Sequence, residues 1–342
     1  MQRYVWAVFD WCALNLEDHA AERGELQVRL AEVLRRLALT PQQIESLPDN
    51  YVQAVTSREF ATEYDPAHTD RAFLPPDLFD QHRPWVAILG RYLEPVATSH
   101  VFSFSGRSRF LVFVRLPGGR KATLDYLQTL WNFPQPWVAR RDMAPDQTQV
   151  NPDLPQFPVR TQVALVRQMT YSTVGASSCQ RQSPRACKIR VYRAITARED
   201  RNNVAVDWPA AGKEQDFYEV RLSQARLFAG QAGGLKAVAR DETEFSVFQT
   251  QGQDVFEFSA KRHVPKELGA PILDRCVTCH SAPGINSLDS RSKLLKPNYL
   301  QRDSESAYPT RWWENDGTIY WKQERYDWGL LNGFWKASER FH

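Results

Sequence analysis

Between Val101 and Ser259 the apolar residues come in short runs separated by polar turns, and this spacing restricts the possible fold more than any other feature. The runs are 101-VFSF-104, 109-RFLVFVRL-116, 160-RTQVALVRQMTY-171, 188-KIRVYRAI-195, 217-FYEVRLS-223, 244-EFSVFQT-250 and 253-QDVFEFS-259. Each has strand length and is rich in β-branched and aromatic residues. Gly106 lies between the first two and Gln251-Gly252 between the last two, which predicts a β-hairpin at each place. Strands that follow one another through turns build an antiparallel sheet. One helical stretch, 122-ATLDYLQTLWNF-133, interrupts them.

Ahead of this region the apolar period changes. Leu14, Leu16, Leu26, Leu30, Val33, Leu34 and Leu37 recur at helical spacing over 11–38, with Glu17, Asp18, Glu22, Arg23 and Glu25 on the other side. In 40-TPQQIESLPDNY-51, Thr40 caps a second helix, Pro41 occupies its first turn and Gln43 completes a capping box. Two proline-rich stretches, 74–85 and 144–158, read as extended connections, because a residue before proline is pushed out of the helical region. The expected class is α+β, in three parts. Residues 1–95 form an N-terminal helical region and 96–260 a mainly antiparallel body. Residues 261–342 form a mostly helical or irregular segment packed on that body. There is no internal repeat, and no glycine-rich phosphate loop follows a strand.

Composition excludes several classes. The chain has 342 residues, 42% hydrophobic and 24% charged, which is average for a folded chain and too polar for a membrane class. Its 43 basic and 40 acidic residues are interleaved, so no basic stripe marks a nucleic-acid binder. No stretch reaches the roughly 18 apolar residues of a membrane-spanning helix. The start, MQRYVWAVFDWCALNLED, has an apolar run of only five residues, Val5 to Phe9, and does not read as a secretory signal.

The five cysteines are Cys12, Cys179, Cys187, Cys276 and Cys279. Cys12 lies among apolar residues, where an inert buried thiol is the default. The segment 179-CQRQSPRAC-187 reads as a polar loop whose cysteines either bridge or remain free. The last two belong to 276-CVTCH-280, two thiols one helical turn apart followed at once by an imidazole. A structural zinc site needs four ligands in short pairs, and Cys179 and Cys187 make a poor second pair. A thioredoxin-like redox pair belongs at the head of a helix after an early strand, whereas this one is late in the chain. A plain disulfide or free thiols would leave His280 without a role.

Over about residues 270–290 the chain resembles the c-type cytochromes, whose haem-attachment sequence is Cys-x-x-Cys-His. The resemblance implies one covalently attached haem c, with thioethers at Cys276 and Cys279 and His280 as proximal iron ligand. Ser281-Ala282-Pro283-Gly284 is similar to the loop after the motif in that family, where a backbone carbonyl accepts the histidine's other N–H, so Pro283 joins the cofactor-binding set. The family's small members supply a methionine downstream; here none follows, and the methionines are Met1, Met143 and Met169. Met169 lies in a strand-like run and is expected in the core. For the distal position His263 is the nearest upstream candidate, set off from the motif by Pro265, Gly269 and Pro271. His19, His68, His82, His100 and His342 are expected to be surface or hydrogen-bonded residues.

The resemblance implies electron transfer with a redox partner protein, which could be part of a multi-haem or membrane-associated complex. Eight basic residues against three acidic ones over 261–302 would suit an acidic partner. Two other readings stay open: a haem enzyme or small-molecule sensor with an open sixth position, and a haem-bearing accessory subunit. The large α+β body favours the former. Five of the eleven tryptophans lie in the last 31 residues, Trp312, Trp313, Trp321, Trp328 and Trp335, as a tail packed on its own core, an interface or a cofactor wall. Haem attachment to such motifs takes place outside the bacterial cytoplasm, so a periplasmic or otherwise extracytoplasmic location is expected.

Overall fold

The computed structural model describes residues 2–12, 18–88, 96–97, 100, 108–139, 148–172, 178–195, 214–243, 271–280, 282–288 and 326–339. Six strands form one antiparallel sheet in the order β1-β2-β5-β6-β7-β8. They are β1 Val86–Ile88, β2 Ser108–Arg115, β5 Gln162–Ser172, β6 Ser178–Tyr192, β7 Gln215–Leu222 and β8 Leu235–Ala237. A separate two-stranded ribbon pairs β3 Trp137–Ala139 with β4 Thr148–Val150, the latter inside the second proline-rich connection. The α+β class is that expected from the spacing of the runs.

Both faces of the sheet are covered. Leu111 and Phe113 of β2 point to the first face with Ala164, Val166, Ile189, Val191 and Val220, where α4 (Asn50–Ser57) adds Tyr51 and Ala54 and the connection before β1 adds Phe73, Leu74, Leu78 and Trp85. Phe110, Val112 and Val114 point to the second face, under Leu127 and Leu130 of α5 (Gly119–Asn132) and under Phe157, Ile285 and Leu288. Double coverage explains why β2 is an unbroken apolar run rather than an alternating one. The 74–85 stretch is a connection, as expected, but three of its large side chains are core.

The first and last elements share a third cluster. Trp6 and Phe9 of α1 (Gln2–Cys12), Ala31 and Leu34 of α2 (Ala20–Arg36), and Leu331 and Trp335 of the C-terminal helix Tyr326–Glu339 pack together. Trp335 Nε1 donates to the Ala31 carbonyl at 2.9 Å, which answers the indole's need for a partner when buried. For Trp335 the tail's aromatic content is self-packing; Trp312, Trp313 and Trp321 lie outside the described residues. The helix read within 11–38 forms as α2, which begins after a turn in which His19 has φ 56°, but its inner face differs from the one read: Arg23, Gln27, Ala31 and Leu34 are buried while Leu26 and Val33 are exposed. The capping box of α3 (Pro41–Ser46) forms as expected: Gln43 N donates to Thr40 Oγ1 at 3.1 Å and Thr40 N to Gln43 Oε1 at 2.9 Å. Cys12 is a buried free thiol.

One expectation is overturned. Residues 179–187 are not a loop but part of β6, with Pro184 at a register shift opposite Gln168, where a bulge tolerates a residue that donates no hydrogen bond. Cys187 is free and faces the first-side core. Its pairing position, Val166, and that of Cys179, Tyr171, lie five residues apart on β5. That is roughly 16 Å at strand rise, more than twice the Cα separation a disulfide spans. The strands read at 101–104, 244–250 and 253–259 lie outside the described residues.

The centre of the sheet carries the stability. Phe113 is fully buried between β1 and β5, so Phe113→Ala should cost about 3–5 kcal/mol, measured by urea unfolding; a loss under about 1 kcal/mol would contradict this packing.

Candidate functional site

The 276–280 motif forms the end of α7 (Ile272–His280). Pro271 precedes the helix, its partner across an isolated bridge is Thr243, and Ile272 N donates to the Glu242 carbonyl at 2.9 Å. Ile272 and Leu273 pack on Val238, just beyond β8, which lays the helix beside the second face of the sheet. Cys276 and Cys279 are one turn apart on it. Lys188 Nζ, on β6, donates to Cys276 Sγ at 3.8 Å. Burial pushes the Cys276 thiol up, against the pull of Lys188. The side chain of Cys279 lies outside the described positions.

His280 is held from three directions. Its Nδ1 lies 2.7 Å from the Ser287 carbonyl, and a carbonyl only accepts, so Nδ1 carries the proton and Nε2 is left with a lone pair. The sequence pointed to a carbonyl of the 281–284 loop; the acceptor is Ser287, and the Pro283 carbonyl accepts instead from Asn286 N at 3.1 Å. Pro283 starts a 3-10 turn, Gly284–Ser287, that brings Ser287 back to the ring. Gly284 has φ +51°, and a Cβ there would sit 2.1 Å from Gln156 Oε1, the atom that accepts from Ile285 N. Only glycine meets both demands.

The sheet fixes the same turn. Arg190 Nη1 donates to Ser287 O at 3.2 Å and to Ser287 Oγ at 3.1 Å, and the Tyr192 hydroxyl is 2.6 Å from that Oγ. Gln215 Nε2 donates to the His280 carbonyl at 2.9 Å. Arg190 and Tyr192 of β6 and Gln215 of β7 thus lock both the turn and the end of α7 to the sheet.

His100 completes the cluster, and nothing in the sequence distinguished it. It is partly buried, with its ring centroid 6.0 Å from that of His280 and the planes 18° apart, and it also lies 5.7 Å from the Phe110 ring. This corrects the expectation of a surface position: the fold brings it across about 180 residues to the motif. Burial, then Arg190, lowers His280 to about 2, and burial, then Lys188, Arg190 and Arg167, lowers His100 to about 3. Both imidazoles are neutral at pH 7. His19, His68 and His82 are exposed, as expected, and Met169 is partly buried in β5. His263, Met143 and His342 lie outside the described residues.

This part of the sheet face is cationic. Among the described residues, Arg167 of β5, Lys188 and Arg190 of β6 and Arg221 of β7 share it with one carboxylate, Glu219, which pairs with Lys188 at 3.2 Å and Arg221 at 2.8 Å. The described hydrogen bonds of Arg190 go to neutral oxygens, including Gln215 Oε1 at 3.4 Å. Such a site suits a ligand with carboxylates and a metal that takes a neutral nitrogen. A haem meets both conditions, with its two propionates and its iron. Among the described residues no group of three or more His, Cys, Asp and Glu could hold an ion by itself, so a four-ligand zinc site finds no donor set there. No family model matches the chain, and neither a curated protein nor a solved structure is similar to it.

Two outcomes follow from this geometry. The unfolded chain binds protons on His100 and His280 near their ordinary 6.5, while the folded chain does not until about 3 and 2, so stability is full above pH 6.5 and falls as pH drops below it. The urea midpoint of haem-free protein should fall from pH 7 to pH 5, and by less in His100→Asn; an equal fall in both would mean that the His100 ring is solvated. Gly284→Ala should destabilise the chain by about 1–3 kcal/mol through backbone strain and the displaced Gln156 contact, read by thermal melting.

Proposed function

We propose that the chain is a c-type monohaem protein of an extracytoplasmic compartment, with haem attached through Cys276 and Cys279, His280 as proximal ligand, and electron transfer as its role. The observation that carries this reading is the Nδ1–H to Ser287 hydrogen bond. It fixes the His280 tautomer, leaves Nε2 for a metal, and raises the basicity of the ring, as a carbonyl behind a ligating histidine does. Burial and the neighbouring cations keep His280 in the neutral, ligating form.

A bound haem supplies one-electron chemistry between the ferric and ferrous states, at a potential set by its ligands, hydrogen bonds and burial. The chain's residues supply position and electrostatics. Cys276 and Cys279, one turn apart on a helix anchored at Glu242, suit two covalent anchors, and His280 follows at the next residue. Arg167, Lys188 and Arg190 would favour an anionic cofactor through their positive charge. The basic excess over 261–302 would steer an acidic redox partner, whether a single protein or a larger complex. Among the described residues no helix is long and apolar enough to cross a membrane.

Protein made with an export signal and haem-attachment machinery should run as a haem-staining band on a denaturing gel, and the Cys276→Ala/Cys279→Ala variant should lose the stain completely. Retention of stain in that variant would overturn the attachment sites. A carrier should also exchange electrons reversibly in film voltammetry; turnover of peroxide without such a response would favour the enzymatic alternative.

A further inference from the structure

We propose that His100 is the second axial ligand, so that the iron bound by His280 carries two imidazole nitrogens, one from each half of the chain. This rests on the haem reading above and goes beyond it by naming the residue opposite His280. The separation of the rings is the primary observation. Two metal–nitrogen bonds of about 2.0 Å each, with the small radius of each imidazole, put ring centroids about 6 Å apart. His100 and His280 stand at 6.0 Å, with planes 18° apart. A loose offset stack would also allow that spacing, but it would not call for the rest of the arrangement.

The rest concerns how each ring is held. His280 is fixed by Ser287, and Ser287 by Arg190 and Tyr192 of β6. His100 lies against Phe110 of β2. Both rings therefore take their positions from one sheet, with β5 between the two strands. Rigid elements are what a ligand pair needs to keep its spacing. A methionine ligand is then unnecessary, which accounts for a chain with no methionine after the motif.

Two nitrogen ligands give a lower potential than the histidine–methionine pair, because the thioether raises it. A haem so ligated would also tie the α7 end of the chain to His100, well before most of the sheet in sequence. Haem attachment should therefore stabilise the body as well as the motif.

The test uses the full chain with attached haem. The wild type should be low-spin in both redox states, with the electron-paramagnetic signature of two nitrogen ligands, and its ferrous form should take up no carbon monoxide. His100→Ala should keep covalent haem on a denaturing gel yet become high-spin, bind carbon monoxide stoichiometrically, and return to low-spin with added imidazole. His100→Met, closer in volume, should show a sulfur-to-iron charge-transfer band and a raised potential, and carries the test if the alanine variant is made poorly. His263→Ala should leave every signature unchanged. A His100→Ala protein that retains haem and the wild-type low-spin spectrum overturns this proposal alone. Wild-type chain that holds no covalent haem overturns the underlying reading, and this one with it.

Discussion

The carbonyl of Ser287 takes two donors at once, the His280 Nδ1–H and the Arg190 guanidinium, and the geometry of the site follows from that shared acceptor. Hydrogen bonds to a charged group contribute about 1.5–3 kcal/mol, roughly twice a neutral pair, and a buried acceptor that loses its donor costs as much again. The turn at 284–287 therefore cannot drift without uncovering Arg190. The ring of His280 cannot rotate without uncovering Ser287. A helix end, a turn and two strands are bound into one unit whose exposed product is a single lone pair on Nε2.

The sheet makes that unit possible. Its second face changes character along its width: β1 and β2 present apolar side chains to α5, while β6 and β7 present Lys188, Arg190, Glu219 and Arg221 to α7. Four cations against one carboxylate would be costly under an apolar cover, since a buried charge needs a partner. Most of the cost is met by hydrogen bonds within the protein, Arg167 to Ser108 Oγ at 2.8 Å and Arg190 to Ser287 among them. The remaining positive potential is felt by the two histidines, whose protons it repels. Carboxylates from a bound cofactor would offset it, so the same charge pattern that favours neutral rings also suits the cofactor proposed above.

Legibility in the sequence tracked the locality of the interaction. The capping box at Thr40 and Gln43, helix α5 and strands β2, β5 and β7 were readable because a period or a cap is decided within a few residues. Helix α4 and strands β1, β3 and β8 were not read, being short segments that tertiary pairing stabilises. The 179–187 segment looked like a loop because it is polar and contains Pro184, yet it pairs as strand through a bulge that only the partner β5 reveals. Cys187 then faces the core, and the two cysteines of that segment are too far apart to join.

At the site the division is sharper. The sequence by itself determined the motif: Cys276, Cys279 and His280 are adjacent in the chain, so their spacing on a helix was implied once the helix was. The likeness of residues 281–284 to the loop after such motifs added an expected carbonyl acceptor, though not the residue that supplies it. Only the tertiary structure decided which carbonyl meets His280, which cations surround it and which histidine faces it. Those partners come from β6, β7 and His100, at sequence distances of roughly 65 to 180 residues. No local pattern records them, because the free energy that brings them together is the burial of the sheet's two faces rather than any property of the residues that meet.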